Sequence, residues 1–182
     1  MLAILLLAAG RSSRMGDRDK LLEEVDGQPL LRIMAERALI TGAPVNVVLA
    51  PDRPERLKAL GGLSLTLTEA SDAHLGMAHS LRAGIKALPK AATAAMVLPA
   101  DMPEITTEDF LTLCRAQAEA PDAILRATSE TGKPGHPVVF PAALFPDLAM
   151  LSGDQGARSI LKAHAGAVTH VPLPANHALT DL

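Results

Sequence analysis

Between Leu5 and Leu22 the chain reads LLLAAGRSSRMGDRDKLL, and this stretch holds the densest set of groups that could do chemistry. The small residues Ala8, Ala9 and Gly10 let an anion approach the backbone. Arg11, Ser12, Ser13, Arg14 and Lys20 add hydroxyls and fixed positive charge. A glycine-containing turn after a strand offers successive N–H groups to a phosphate, so the expected ligand is a nucleoside triphosphate. Neither G-x-x-x-x-G-K-[ST] nor the three-glycine dinucleotide fingerprint is present, which removes both of those phosphate loops. A second chemical group is Asp101, set between Pro99 and Pro103. A carboxylate there suits a magnesium ion shared with phosphate oxygens, since magnesium prefers one or two carboxylates plus phosphate and water. The bland reading, a helix cap, is better filled by Thr106 or Thr107, which leaves Asp101 free.

Positioning these groups requires buried strands that end where they begin. The run Leu2 to Leu7 has the aliphatic content of a strand covered on both faces. Val45 to Ala50 and Ala94 to Leu98 repeat it, the second running straight into Asp101. Leu63 to Thr68 alternates as a strand nearer an edge, Asp122 to Thr128 and Gly135 to Phe140 read as two more, and Val168 to Leu173 as the last. Helical periodicity falls between them: Pro29 to Thr41, a short helix after Pro51, Gly76 to Leu88, Thr106 to Cys114, Ala142 to Leu151, and Ser152 to Leu161. Strands alternating with helices predict an α/β fold, a single three-layer α/β/α domain over residues 1–182 with a mostly parallel, Rossmann-like sheet. Ligands of such sheets sit beyond the carboxyl ends of the strands, where both groups lie.

Composition narrows the function. Hydrophobic residues make up 48% of the 182 and charged residues 20%, with three Phe and no Trp or Tyr, so the core is aliphatic. A net charge of −3 offers no field for a nucleic-acid backbone. The lone Cys114 excludes an internal disulfide framework and a multi-cysteine zinc site, and reads as a small core residue of a helix. Leu2 to Ala9 has no basic segment before it and is too short to span a bilayer, so no membrane partner is expected and the location is read as cytoplasmic.

The pattern Leu7-Ala8-Ala9-Gly10-x-Ser12-x-Arg14-Met15-Gly16, followed by Lys20-Leu21-Leu22, resembles the signature of the MobA-like nucleotidyltransferases, and most closely the molybdenum cofactor cytidylyltransferases. The resemblance continues through Gly76-Met77-x-x-Ser80-Leu81-Arg82-x-Gly84, an Asp101-x-Pro103 motif with Ala100 where glycine is usual, Gly135-His136-Pro137, and Gly153-Asp154-x-Gly156-Ala157-Arg158. It implies a fold of the nucleotide-diphospho-sugar transferase type. It also implies that Arg14, Lys20 and Asp101 are catalytic, that Ala8 to Ser13, Lys20 and Ser80 contact nucleotide, and that Gly135, His136, Asp154 and Arg158 face the acceptor. Asp154 and Arg158 stand four apart, so a plain helix ion pair competes for them. Family members continue into an Asp-x-Asp-Thr-Pro-Glu-Asp-like segment; here Asp181 matches its first aspartate, the second acidic position, a candidate partner for Asp101 on magnesium, is missing, and the implied metal residues for magnesium or manganese are Asp101 and Asp181.

The implied reaction joins CMP from CTP to the terminal phosphate of molybdopterin with release of pyrophosphate, with a molybdoenzyme or its chaperone as the onward partner. CTP is favoured over GTP by Ala9, where related guanylyltransferases have glycine. Two alternatives stand beside it: guanylyl or nucleotidyl transfer to another small phosphorylated acceptor, and a non-catalytic molybdopterin carrier.

Overall fold

A computed structural model describes residues 1–10, 19–153 and 156–182. Leu2–Ala8 forms β1, buried along nearly its whole length as its aliphatic run predicts. A tight hairpin follows, β2 (Glu24–Val25) against β3 (Gln28–Pro29), turning through Asp26 and Gly27 at φ 52° and 79°. Two left-handed residues in a two-residue hairpin loop match the right-handed twist of the flanking strands. Pro29 is therefore the last strand residue before helix α1 (Leu30–Leu39) rather than part of the helix's first turn.

The chain then alternates: β4 (Val45–Leu49), α2 (Pro54–Ala59), β5 (Thr66–Glu69), α3 (Met77–Lys86), β6 (Ala94–Pro99), α4 (Thr107–Glu119), β7 (Ile124–Thr128), β8 (Pro134–Pro141), α5 (Phe145–Ala149), α6 (Arg158–Ala163) and β9 (Val168–Pro172). Among the described residues, seven strands form one sheet in the order β5-β4-β1-β6-β8-β7-β9. β5, β4, β1 and β6 are mutually parallel, with Leu6 opposite Val47 and Leu98. β8 runs antiparallel to both its neighbours, Val138 lying opposite Val97 and Arg126. Successive crossovers from β1 build outward to β4 and β5, and the next returns past β1 to β6. The β1/β6 boundary is thus a topological switch point, where the connections diverge and leave a crevice.

Alternation along β1 divides the core. Ile4, Leu6 and Ala8 face a layer holding α1 and α4 through Leu31, Met34, Phe110 and Leu113. Leu5 and Ala9 face the opposite layer with Leu81 and Ile85 of α3, Leu148 of α5 and Ile160 of α6. Helix α3 approaches the sheet closely at Gly84, where an added Cβ would lie 2.5 Å from a Leu5 methyl and 2.9 Å from Val48 Cγ2. The three-layer architecture and mostly parallel sheet are those expected from sequence.

Two helical expectations are revised by local chemistry. Ala142 to Leu151 is a 3₁₀ turn (Ala142–Leu144) followed by α5, whose first turn contains Pro146. The final helix begins at Arg158, because Gly153 and Gly156 have φ of 80° and 53°, outside right-handed helical space. Thr106 caps α4 in a reciprocal capping box with Asp109, so Asp101 is not spent on that helix. Cys114 is half-buried against the first core layer, and burial pushes its thiol pKa up.

Candidate functional site

The end of β1 is held by a buried arginine. Arg56 on α2 is 1% exposed; its Nη1 donates to the carbonyls of Ala8 at 2.5 Å and Gly10 at 2.9 Å. Its Nε and Nη2 form a bidentate pair with Asp19 at 2.7 and 2.9 Å. One side chain thereby bonds the backbone before the 11–18 stretch and the Asp19 carboxylate after it. In a trans peptide the C=O and the next N–H point in opposite directions. Turning the Ala8 carbonyl toward Arg56 therefore turns the Ala9 N–H away from it. Asp19 also accepts from the Leu21 N–H at 3.1 Å, beginning the turn that places Lys20.

Two cavities of about 490 Å³ each open at the β1/β6 boundary. Ala9, Gly10, Lys20, Gly76 and Ser80 line the first. Gly135, His136, Arg158, Asp181 and Arg126 line the second. Leu7, Met77, Pro99 and Asp101 belong to both, so Asp101 stands at their junction. A larger cavity of about 760 Å³ lies on the far side of Arg56, lined by Asp19, Glu23, Glu24, Asp52 and Glu55. Arg53 and Arg56 also line it, but its carboxylates outnumber them, a charge balance unfavourable to phosphate.

Asp101 has one oxygen committed and one open. Its Oδ2 pairs with Lys20 Nζ at 2.5 Å, while Oδ1 is buried with no hydrogen-bond partner among the described residues. Lys20 also donates to the Leu182 carbonyl, and the Leu182 N–H donates to the Asp101 carbonyl at 3.0 Å. A buried carboxylate oxygen without a donor is the kind of orphan a cation would satisfy. Among the described residues, no group of three or more His, Cys, Asp or Glu could hold a metal unaided. The donor set fits an ion that takes one or two carboxylates and fills its remaining positions with phosphate oxygens and water.

β8's antiparallel direction brings its first residues to the same edge as the last residues of β6. This places His136 beside the Asp101 cavity. Burial, and next the Arg126 charge, lower the His136 pKa, although a hydrogen bond at the Val97 backbone and the Asp101 carboxylate pull the other way. The His136 Nδ1 is buried and unpartnered among the described residues. Gly135 is where the C-terminal segment crosses β8: an added Cβ would sit 1.8 Å from the Ala178 carbonyl oxygen, and the same oxygen accepts from the His136 N–H at 2.9 Å. His177 bonded to Asp109 at 2.8 Å and Thr180 bonded to Glu104 at 2.8 Å secure that segment, which carries Asp181 into the second cavity. Gly135→Ala is expected to lower unfolding free energy by about 3 kcal/mol, the upper range for overpacking a close contact, because the obstacle is backbone. Urea denaturation checks this; a loss below about 1 kcal/mol would mean the crossing is looser than described.

Of the residues expected from sequence, Ala9, Gly10, Lys20, Ser80 and Asp101 gather at the first cavity, and Gly135, His136, Arg158, Asp181 and Asp101 at the second. Ala8 is buried behind them with its carbonyl on Arg56. Arg11, Ser12, Ser13, Arg14 and Asp154 lie outside the described residues. Three features escaped the sequence reading. No motif or spacing singled out Arg56 or Arg126. His79 is mostly buried; its Nδ1 lies 2.9 Å from Asp72, whose carboxylate also pairs with Arg82. The His79 hydrogen bond is the main cause holding the Asp72 carboxyl below its ordinary pKa.

Residues 4–168 match the model of the MobA-like NTP transferase domain. The chain is 34% identical over 134 residues to the bifunctional protein GlmU of Anaeromyxobacter sp. strain K, covering 70% of this chain but only 27% of that protein. It is 34% identical to a probable molybdenum cofactor guanylyltransferase of Natronomonas pharaonis, over 75% of this chain and 66% of the other. Purine catabolism protein PucB of Bacillus subtilis is 31% identical over 89% of this chain and 82% of its own. Among solved structures, the Rv0371c homologue from Mycobacterium sp. strain JC1 superposes with a TM-score of 0.82 at 26% identity, covering 96% of this chain and 86% of that one. A manganese complex of Rv0371c from Mycobacterium tuberculosis superposes at 0.78 with 20% identity, covering 96% and 89%. With the family model spanning nearly the whole sheet, the chain belongs to the MobA-like NTP transferase family of nucleotidyltransferases.

Proposed function

We propose that residues 1–182 act as one cytoplasmic nucleotidyltransferase domain that transfers CMP from CTP to the terminal phosphate of molybdopterin. The observation that carries this reading is the pair of cavities sharing Asp101, a two-substrate geometry with a carboxylate where the substrates would meet. Attack of an acceptor phosphate oxygen on the α-phosphorus forms one P–O bond. The bond to the β-phosphate breaks, and pyrophosphate carries away the electron pair. No covalent enzyme intermediate is needed; alignment and charge neutralisation carry the rate.

The chain's own parts divide the work. Ala9, Gly10, Lys20 and Ser80 line the nucleotide side; Arg11, Ser12, Ser13 and Arg14 complete the phosphate loop in this reading. Asp101 and Asp181 would hold a magnesium or manganese ion, which when bound supplies positive charge against the triphosphate. His136, with Gly135, Asp154 and Arg158, is assigned to the acceptor side. CTP is preferred because Ala9, 4% exposed, adds a methyl to the nucleotide cavity where guanylyltransferases have glycine. The guanylyltransferase relative favours a second reading, GTP in place of CTP in the same chemistry; transfer to a different phosphorylated acceptor is the other form of that reading.

Calorimetric titration with CTP, GTP, ATP and UTP, each with and without magnesium or manganese, tests the first half. Metal-dependent binding with CTP at least tenfold tighter than GTP is expected. A GTP preference selects the second reading, and absence of binding by all four overturns both. Pyrophosphate release on adding molybdopterin tests the acceptor.

A further inference from the structure

Two groups assigned to different ligands are bound to each other in this structure. Lys20 Nζ lies 2.5 Å from Asp101 Oδ2 and also donates to the Leu182 carbonyl, so the ammonium spends its donors on oxygens of the chain itself. Carboxylate and carbonyl oxygens are what a hard divalent cation takes. The ammonium therefore stands on oxygens such an ion would use, and its charge repels one approaching the same carboxylate. Asp101 Oδ1, buried and without a partner among the described residues, is the oxygen the lysine leaves unsatisfied.

The two partners differ in freedom. The backbone around Asp101 is tied on several sides: the Ala100 N–H donates to the Leu7 carbonyl and the Leu182 N–H to the Asp101 carbonyl, both at 3.0 Å. Arg37 Nη1 on α1 donates to the Pro103 and Ile105 carbonyls at 2.7 Å each. Lys20 instead carries its charge on a flexible four-carbon stem, partly exposed, and it lines the nucleotide cavity. Of the pair, the lysine is the one that can move. We propose that Lys20 is a placeholder cation: in the nucleotide-free chain it closes Asp101 to a divalent ion, and a triphosphate opens the carboxylate by drawing the ammonium onto its own oxygens. Nucleotide and metal then enter together, because each raises the affinity for the other by the same factor. The placeholder deepens the nucleotidyltransferase reading and rests on it only for the identity of the anion that draws the lysine away.

Manganese is the probe, titrated into the full chain without nucleotide and followed by the electron paramagnetic resonance of the free ion. Lys20→Met is expected to tighten manganese binding by about fivefold or more, the low end of ordinary coupling between sites. A lysine that served only to bind phosphate would leave this number unchanged. Lys20→Gln, equally uncharged, gives the same reading should Lys20→Met fail to fold. Lys20→Arg keeps the charge and should stay near wild type; an equal gain there would trace to shape and overturn the placeholder. Combining Lys20→Met with Asp101→Asn should abolish the gain, which separates this carboxylate from those of the cavity beyond Arg56. Unchanged manganese affinity in both uncharged variants, or a gain that survives Asp101→Asn, overturns the proposal. Saturating CTP should tighten manganese binding to the wild type by a larger factor than to Lys20→Met. If CTP does not bind and Lys20→Met still tightens manganese binding, the placeholder stands and the nucleotidyltransferase reading fails.

Discussion

Arg56→Met is expected to destabilise the protein by about 3–5 kcal/mol, the range for removing one partner of a buried ion pair. The cost has two sources. Asp19, 14% exposed, would lose its bidentate partner, and the buried Ala8 carbonyl and the Gly10 carbonyl would lose this donor. A second variant separates stability from function. Arg56→Met combined with Asp19→Asn removes the charge that Arg56 balanced and should recover about half of the lost stability. It should not recover nucleotide affinity, because nothing then holds the Ala8 and Gly10 carbonyls and the opposed N–H of Ala9. Urea denaturation paired with CTP titration gives both numbers. Wild-type nucleotide affinity in the folded double variant would show that Arg56 serves only the fold.

Asp101→Asn is expected to reduce turnover by about 10²–10³-fold, the scale for deleting one preorganised electrostatic group at a reacting centre. Asparagine preserves shape and one carbonyl oxygen but loses the negative charge that pairs with Lys20 and could hold a cation. Folding should be little affected, since Asp101 makes one ion pair at a partly exposed site and Thr106 already caps the following helix. The informative readout is metal dependence. Wild-type turnover should rise steeply with added magnesium, while Asp101→Asn should respond weakly across the same range. Turnover within tenfold of wild type, with unchanged metal response, would remove Asp101 from the catalytic set and return the junction of the two cavities to a packing role.

Much of this arrangement follows from local pattern. The aliphatic runs at Leu2 to Leu7, Val45 to Ala50 and Ala94 to Leu98 could only be strands buried on both faces, and that places the glycine turn and Asp101 at their carboxyl ends. The capping box of Thr106 with Asp109 is equally local, being a hydrogen bond across three residues. Such features are legible because their partners lie within one turn or one strand of sequence. Arg56 is the contrary case: its partners are Asp19, Ala8 and Gly10, 37 to 48 residues away, so a side chain that looks solvated in its own helix is among the most buried in the molecule. Arg126 reaches Gly135 only because β8 reverses direction against β7 and β6. Strand direction is not written in periodicity, since alternation reads the same both ways along a chain. The return of the C-terminal segment across Gly135, which delivers Asp181 to the cavity of Asp101, likewise depends on contacts from Glu104, Asp109 and His136. Layers, strand ends and the chemistry carried there are legible along the chain because they are local. Which distant charges meet is not, because ion pairs and backbone crossings are set by the paths of several elements at once.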